Sequence, residues 1–265
     1  MTTKIILSLC CLIALYSISS CKKDDLHRKG DITGKVVVYD SLGRPLADYS
    51  GVQVIIDSTG LSTVTDASGT YVFHHVPVGT YNFSFKKEGY GTYRIIHQQH
   101  AGGPQATRLD TADVGKIYDG PPVTLFLDIA IGGPNSTQQF FYVEFAAPIR
   151  VPAASVLYLS NKPDVSPTNF VVSSRNTNAF IPEDHMSYQT DNDPFNYYVD
   201  ANPILHNSPS IYWFLAFDND RDIHYIDEAG RKIYPCLGKK FVDPVNSRHI
   251  PSNTGKAGYG VIPHR

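Results

Sequence analysis

Two kinds of apolar pattern divide this chain. The first is an almost unbroken run from Ile5 to Ile18, preceded by Lys4 and containing Leu7, Leu9, Leu12, Ile13, Ala14 and Leu15. At about 14 residues it is shorter than the roughly 20 that span a bilayer, and it fits the apolar region of a secretory leader. The second kind takes over at Asp31. Short runs of β-branched and aromatic residues then alternate with clusters of Gly, Pro, Asn, Asp and Ser, which is the pattern of successive short strands and turns.

In the first part of this stretch, Ile32-Thr33-Gly34-Lys35-Val36-Val37-Val38-Tyr39 reads as a strand and Asp40-Ser41-Leu42-Gly43-Arg44-Pro45 as a turn. Val52 to Ile56 predicts a second strand. Thr63-Val64-Thr65 enters an Asp66-Ala67-Ser68-Gly69 turn that leads to Tyr71-Val72-Phe73. After a turn at Val76–Thr80, Tyr81-Asn82-Phe83-Ser84-Phe85 alternates with its aromatic residues on one face. Ile95 to Gly120 is expected to hold one last strand and a linker, with Gln-Gln-His-Ala-Gly-Gly reading as loop. Gly120-Pro121-Pro122 marks a boundary.

Beyond it, runs at Val123–Ile131, Phe140–Phe145, Ser155–Ser160, Phe170–Ser173, Asn196–Val199 and Ile211–Phe217 predict strands, followed by shorter ones at Ile223–Ile226 and Lys232–Tyr234. The tail from Phe241 is polar. No stretch has helical periodicity of useful length. The pattern as a whole predicts an all-β chain of two tandem sandwiches.

Composition narrows the classes. A chain that is 42% hydrophobic, with Tyr 17 and Phe 13, is too apolar to be disordered. A net charge of −2 with both signs scattered leaves no electrostatic footprint for nucleic acid. Of the 4 cysteines, Cys10 and Cys11 lie in the apolar leader and Cys21 just after it, so Cys236 is the one thiol of the folded part. That excludes an internal disulfide framework and casts Cys236 as a small buried hydrophobe.

Ile18-Ser19-Ser20-Cys21, an apolar residue and two small ones before a Cys, resembles the lipobox of bacterial lipoproteins. The resemblance implies cleavage before Cys21 and lipid on it. Lys22-Lys23-Asp24-Asp25 resembles the export signal of Bacteroidetes-type lipoproteins, which implies display on the outer face of the outer membrane. Gly34, Val36, Asp40, Gly43, Pro45, Leu46, Val52, Val54, Thr65-Asp66, Gly69, Tyr71, Phe73, Pro77, Gly79, Tyr81 and Gly89-Tyr90, in that order, resemble the carboxypeptidase regulatory-like domain. That family implies a seven-stranded, transthyretin-like sandwich used as a spacer or docking module. Asp48-Tyr49-Ser50-Gly51 departs from it by lengthening one loop. The second unit looks like an immunoglobulin or fibronectin III-like sandwich, and Ser160–Pro167 resembles loops of such modules in surface lipoproteins that bind starch.

Candidate chemistry is sparse. Asp218, Asp220 and Asp222, with Asn219, set oxygen donors close together as calcium requires, but no EF-hand register fits and a solvated turn explains them as well. His74-His75 and the His97/His100 pair raise the question of zinc; strand neighbours point to opposite faces and do not converge on one ion. No His-Glu-Xaa-Xaa-His, no Gly-Xaa-Ser-Xaa-Gly and no glycine-rich phosphate loop occurs. Among the aromatics crowding the second unit, Tyr198 and Trp213 are the candidates for a sugar- or partner-binding platform, with core packing as the competing fate.

The expected organisation is leader 1–20, lipidated Cys21 and polar tether to residue 29, first sandwich 30–118, linker 119–122, and second sandwich with its polar tail 123–265. The leading expectation is a non-catalytic, cofactor-free surface protein held to the outer membrane through lipid on Cys21. Its partners would be other surface proteins of a nutrient-uptake assembly. The alternatives are a glycan-binding accessory of a polysaccharide-utilisation system and an enzyme with an unrecognised site.

Overall fold

The computed structural model describes residues 28–119, 123–126, 140–145, 153–179, 185–189, 201–208, 210–219, 221–238 and 259–263. Among these the chain is all-β, with one single-turn helix. The first part holds β1 (Lys29–Tyr39), β2 (Gln53–Ile56), β3 (Ser62–Val64), β4 (Thr70–Pro77), β5 (Gly79–Lys86), β6 (Tyr93–His100), β7 (Gly103–Arg108) and β8 (Ala112–Gly115). They form two facing sheets. One is ordered β4-β1-β7 with β8 also on β1, the other β3-β2-β5-β6. Alternation places Ile32, Val36 and Val38 of β1, Tyr71 and Phe73 of β4, and Phe83 and Phe85 of β5 between the sheets, all buried. Each such side chain contributes about 1.5–3 kcal/mol of hydrophobic stabilisation.

Three turns of this chain share one local device. In Asp40–Arg44, Asp66–Thr70 and Asp227–Arg231, one carboxylate oxygen accepts the N–H groups two and four residues on, at 2.8–2.9 Å. The third residue after each Asp is a glycine with φ between 76° and 80°. At Gly69 the requirement is doubled, because a Cβ there would run into the Val36 carbonyl.

The stretch after Ile95 differs from expectation. It holds three strands rather than one and a linker, and the Gln-Gln-His segment expected as loop lies in β6. The two strands beyond β6 are added by parallel pairing with β1, a distant partner that sequence alternation does not reveal, and two bulges are likewise concealed. On β4 the register slips opposite Asp31, and His75 adopts φ 56° with its N–H donated to Asp31 Oδ1 at 3.0 Å. On β6 it slips opposite Asn82, and His97 adopts φ 55° with its N–H donated to Asn82 Oδ1 at 2.8 Å. Each histidine is the extra residue, held in the left-handed region by an oxygen from the strand it faces.

The second part holds β9 (Val123–Phe126), β10 (Phe140–Phe145), β11 (Ala153–Ser160), β12 (Val172–Ala179), β13 (His185–Gln189), the helical turn α1 (Pro203–His206), β14 (Ser210–Asn219), β15 (Tyr225–Ile226), β16 (Lys232–Ile233) and β17 (Tyr259–Pro263). Its sheets are ordered β13-β10-β9 and β12-β11-β14-β17, with β15 and β16 as a separate hairpin. Asn202 caps α1 by accepting from the N–H groups of Ile204 and Leu205, and Pro203 begins it. Val156, Tyr158, Val165, Phe170, Ile233 and Tyr234 form the core of this part.

Candidate functional site

The acidic cluster considered for calcium lies where β14 ends. In the sheet, Val156 of β11 stands opposite Arg175 of β12 on one side and Ala216 of β14 on the other, and Ala154 stands opposite Asp218. The two-residue period therefore sets Arg175 and Asp218 on one face, the face of Val156 and Tyr158. Asp218 is wholly buried, so for this residue the solvated-turn expectation is corrected. The end of β14 is covered on both faces, and Phe217, Asp218 and Asn219 are all inside.

Asp218 Oδ1 accepts the Asn219 N–H at 2.8 Å, while Oδ2 has no hydrogen-bond partner and faces Arg175 Nε at 4.0 Å. Arg175 donates through Nη2 to the Asn219 carbonyl at 2.8 Å, and its Nε lies 3.9 Å from Asp222 Oδ1. Asp222 is half exposed and pairs with His224 Nδ1 at 3.1 Å. Asp220 lies outside the described residues. Among the described residues no three His, Cys, Asp or Glu side chains are grouped to hold a metal ion.

Burial pushes the Asp218 carboxyl up to about 7, against the opposing pull of the Arg175 guanidinium and the Asn219 N–H. The same environment acts on its neighbours. Burial raises the Tyr158 phenol and the Cys236 thiol well above their usual ranges, with Asp218 adding to both. Cys236 is fully buried and its Sγ lies 3.5 Å from the Gly115 carbonyl. A thiol held in its protonated form is neither a nucleophile nor a metal ligand. The arrangement is a buried, incompletely paired ionic contact.

The other candidates separate. His74 Nδ1 meets Asp31 Oδ2 at 2.8 Å on the exposed surface, and His75 and His97 are the bulge residues. His100 is buried between Thr107 Oγ1, at 2.7 Å, and the Val76 carbonyl, at 3.1 Å. Tyr198 and Cys21 lie outside the described residues, and Trp213 is placed only as a backbone position on β14. Arg175 and Tyr158 are not among the sequence candidates, whereas Asn219 is, as an oxygen donor of the acidic cluster. Arg175 sits in a polar strand with nothing beside it in sequence to mark it as buried.

The two-sheet arrangement, the Asp66–Gly69 turn and the buried Tyr71, Phe73 and Phe83 agree with the family comparison. Residues 31–112 match the carboxypeptidase regulatory-like domain. A search of curated proteins returns no match. Among solved structures, one similar chain belongs to a type II cohesin–X-dockerin complex, an interface mutant, from Acetivibrio cellulolyticus. It is 25% identical over 31% of this chain and 52% of that one, with a TM-score of 0.26. This chain thus spans about half the length of that match. A DUF3823 family protein from Parabacteroides merdae is 11% identical over 80% of this chain and 98% of that one, with a TM-score of 0.26. A candidate carbohydrate binding protein from Bacteroides uniformis is 10% identical over 89% and 97%, with a TM-score of 0.24. None of the three scores reaches that of a shared overall arrangement. In the carboxypeptidase regulatory-like domain itself, the motif residues build turns and core, and none is placed as an acid, base or nucleophile.

Proposed function

We propose that this protein is a non-catalytic, lipid-anchored surface protein of a bacterial outer membrane. In this reading the carboxypeptidase regulatory-like domain is a structural module, and the second β-unit, a sandwich of immunoglobulin or fibronectin III type, presents the surface that joins protein or nutrient-uptake assemblies. The observation that carries it is Ile18-Ser19-Ser20-Cys21 at the end of a leader-length apolar run, with Lys22-Lys23-Asp24-Asp25 following at once. The domain's motif residues support the structural role, since Asp66 and Gly69 form a turn and Tyr71 and Phe73 fill a core.

The test is metabolic labelling with palmitate in a Bacteroides host, combined with protease treatment of whole cells. Wild type should take up label, sediment with the outer membrane and be cleaved from outside. Cys21→Ala should be unlabelled and soluble, because each buried methylene of the acyl chains holds the anchor by about 0.8 kcal/mol. A Cys21→Ala protein that still sediments with membranes after leader removal overturns the anchor. A labelled protein shielded from protease in intact cells overturns surface display.

A further inference from the structure

The sequence places a linker at 119–122, yet the chain crosses between the two parts a second time, beyond β14. We propose that residues 221–238 are a strap that fastens the second β-unit onto the carboxypeptidase regulatory-like domain, so that the two move as one body.

The strap has a face for each side. Toward the first domain, the Arg221 guanidinium lies 4.2 Å above the Tyr39 ring, with Nη2 3.7 Å from Asp113 Oδ2. Tyr39 in turn donates its hydroxyl to Asp113 Oδ1 at 3.2 Å. Ile223 and Cys236 are buried with Tyr39, packed against Val37 and Tyr93. The rings of Tyr225 and Tyr93 meet edge to face at 5.9 Å, and at the hairpin tip Glu228 Oε1 accepts from Asn82 Nδ2 at 3.2 Å. The Tyr118 N–H donates to the Cys236 carbonyl at 2.9 Å. Toward the second unit, Ile233 and Tyr234 belong to its core and Arg231 lies 4.9 Å over the Phe170 ring. The Gly238 N–H closes the strap by donating to the Phe217 carbonyl at 3.0 Å.

Two glycines of the first domain show that its surface is shaped for this contact. A Cβ at Gly91 would collide with the Pro235 carbonyl, and one at Gly115 would lie 2.6 Å from Cys236 Sγ and 2.7 Å from Ile223 Cδ1. Neither glycine has a positive φ, so backbone conformation does not demand glycine at either place. The close approach of the strap does.

Hydrogen exchange on the full-length chain, read by peptide mass spectrometry, tests this. In wild type, peptides covering 113–119 and 221–238 should be protected alongside core peptides from β1 and β11. Gly91→Ala inserts a methyl group under Pro235 and should raise exchange in both seam peptides together, by about tenfold or more, while the core peptides hold. Arg221→Ala, on the exposed rim, should give a smaller increase in the same two peptides and raise alkylation of Cys236. Seam peptides that are unprotected in wild type overturn the strap. So does a rise confined to one of the two peptides, or loosening of the cores together with the seam in both variants. The proposal is independent of the anchor, and failure of the Cys21 labelling leaves it untouched.

Discussion

Replacing Asp218 by asparagine should remove a large pH dependence of stability between pH 5 and pH 8. The carboxyl moves from 3.8 to about 7 on folding, because burial disfavours its charged form. Across the window between those values the folded chain holds a proton that the unfolded chain has released. The stability tied to this group is therefore complete below about pH 4 and is lost as pH rises through about 7. At 1.36 kcal/mol per pKa unit the full loss is about 4 kcal/mol, of which about 3 kcal/mol falls between pH 5 and pH 8. Asparagine copies the shape of the neutral acid and does not titrate. At pH 5 the two proteins should match within about 1 kcal/mol, since Arg175 there faces an uncharged partner in either case. At pH 8 the variant should be the more stable by about 3 kcal/mol. Urea unfolding at pH steps of about half a unit reads this directly. Trp213, the one tryptophan, lies on the same strand as Asp218 and serves as the fluorescent reporter. Stability curves that run parallel for wild type and variant from pH 5 to pH 8 would refute the reasoning.

Two other outcomes follow from the local geometry. His97→Gly should raise stability by about 1 kcal/mol, because φ 55° strains any residue with a Cβ, and Asn82 still accepts the backbone N–H; a lower urea midpoint would contradict this. Melting temperature should be the same in EDTA and in calcium, because Asp218 faces Arg175 inside the sheet, whereas a native-state ion at a hundred times its Kd would add about 2.7 kcal/mol.

What the sequence made legible was the chemistry that is local. Asp66-Ala67-Ser68-Gly69 names its own turn, since the carboxylate that accepts and the N–H groups that donate lie within four residues of each other. Phe83 and Phe85 reveal their facing by alternation alone. The bulges stayed hidden because their causes are distant: Asp31 is 44 residues from His75 and Asn82 is 15 from His97. Asp218 was hidden for a like reason. An acid at the end of an aromatic strand reads as a surface turn until Arg175 is brought beside it from two strands away. The strap was legible only in part. Its two short strands and the buried Cys236 show in the pattern of Arg221 to Gly238, but what it fastens onto does not, because the mark of that contact is two glycines more than 100 residues earlier.

The order in which the chain is made gives the strap one more consequence. Synthesis proceeds at about 5–20 residues per second from the N-terminus, and domains close as their last contributing segment arrives. β1 already has to wait for β8, its parallel neighbour, before its second edge is satisfied. The surface around Tyr39, Tyr93 and Gly115 waits longer still. About 120 further residues must be made before Cys236 can cover it, an interval of roughly 6–25 s at that rate. During that time a half-built molecule presents an apolar seam whose complement does not yet exist. Two such nascent chains are each other's nearest substitute, so crowded synthesis, or truncation anywhere between residues 119 and 236, turns an internal fastening into a site of association between molecules.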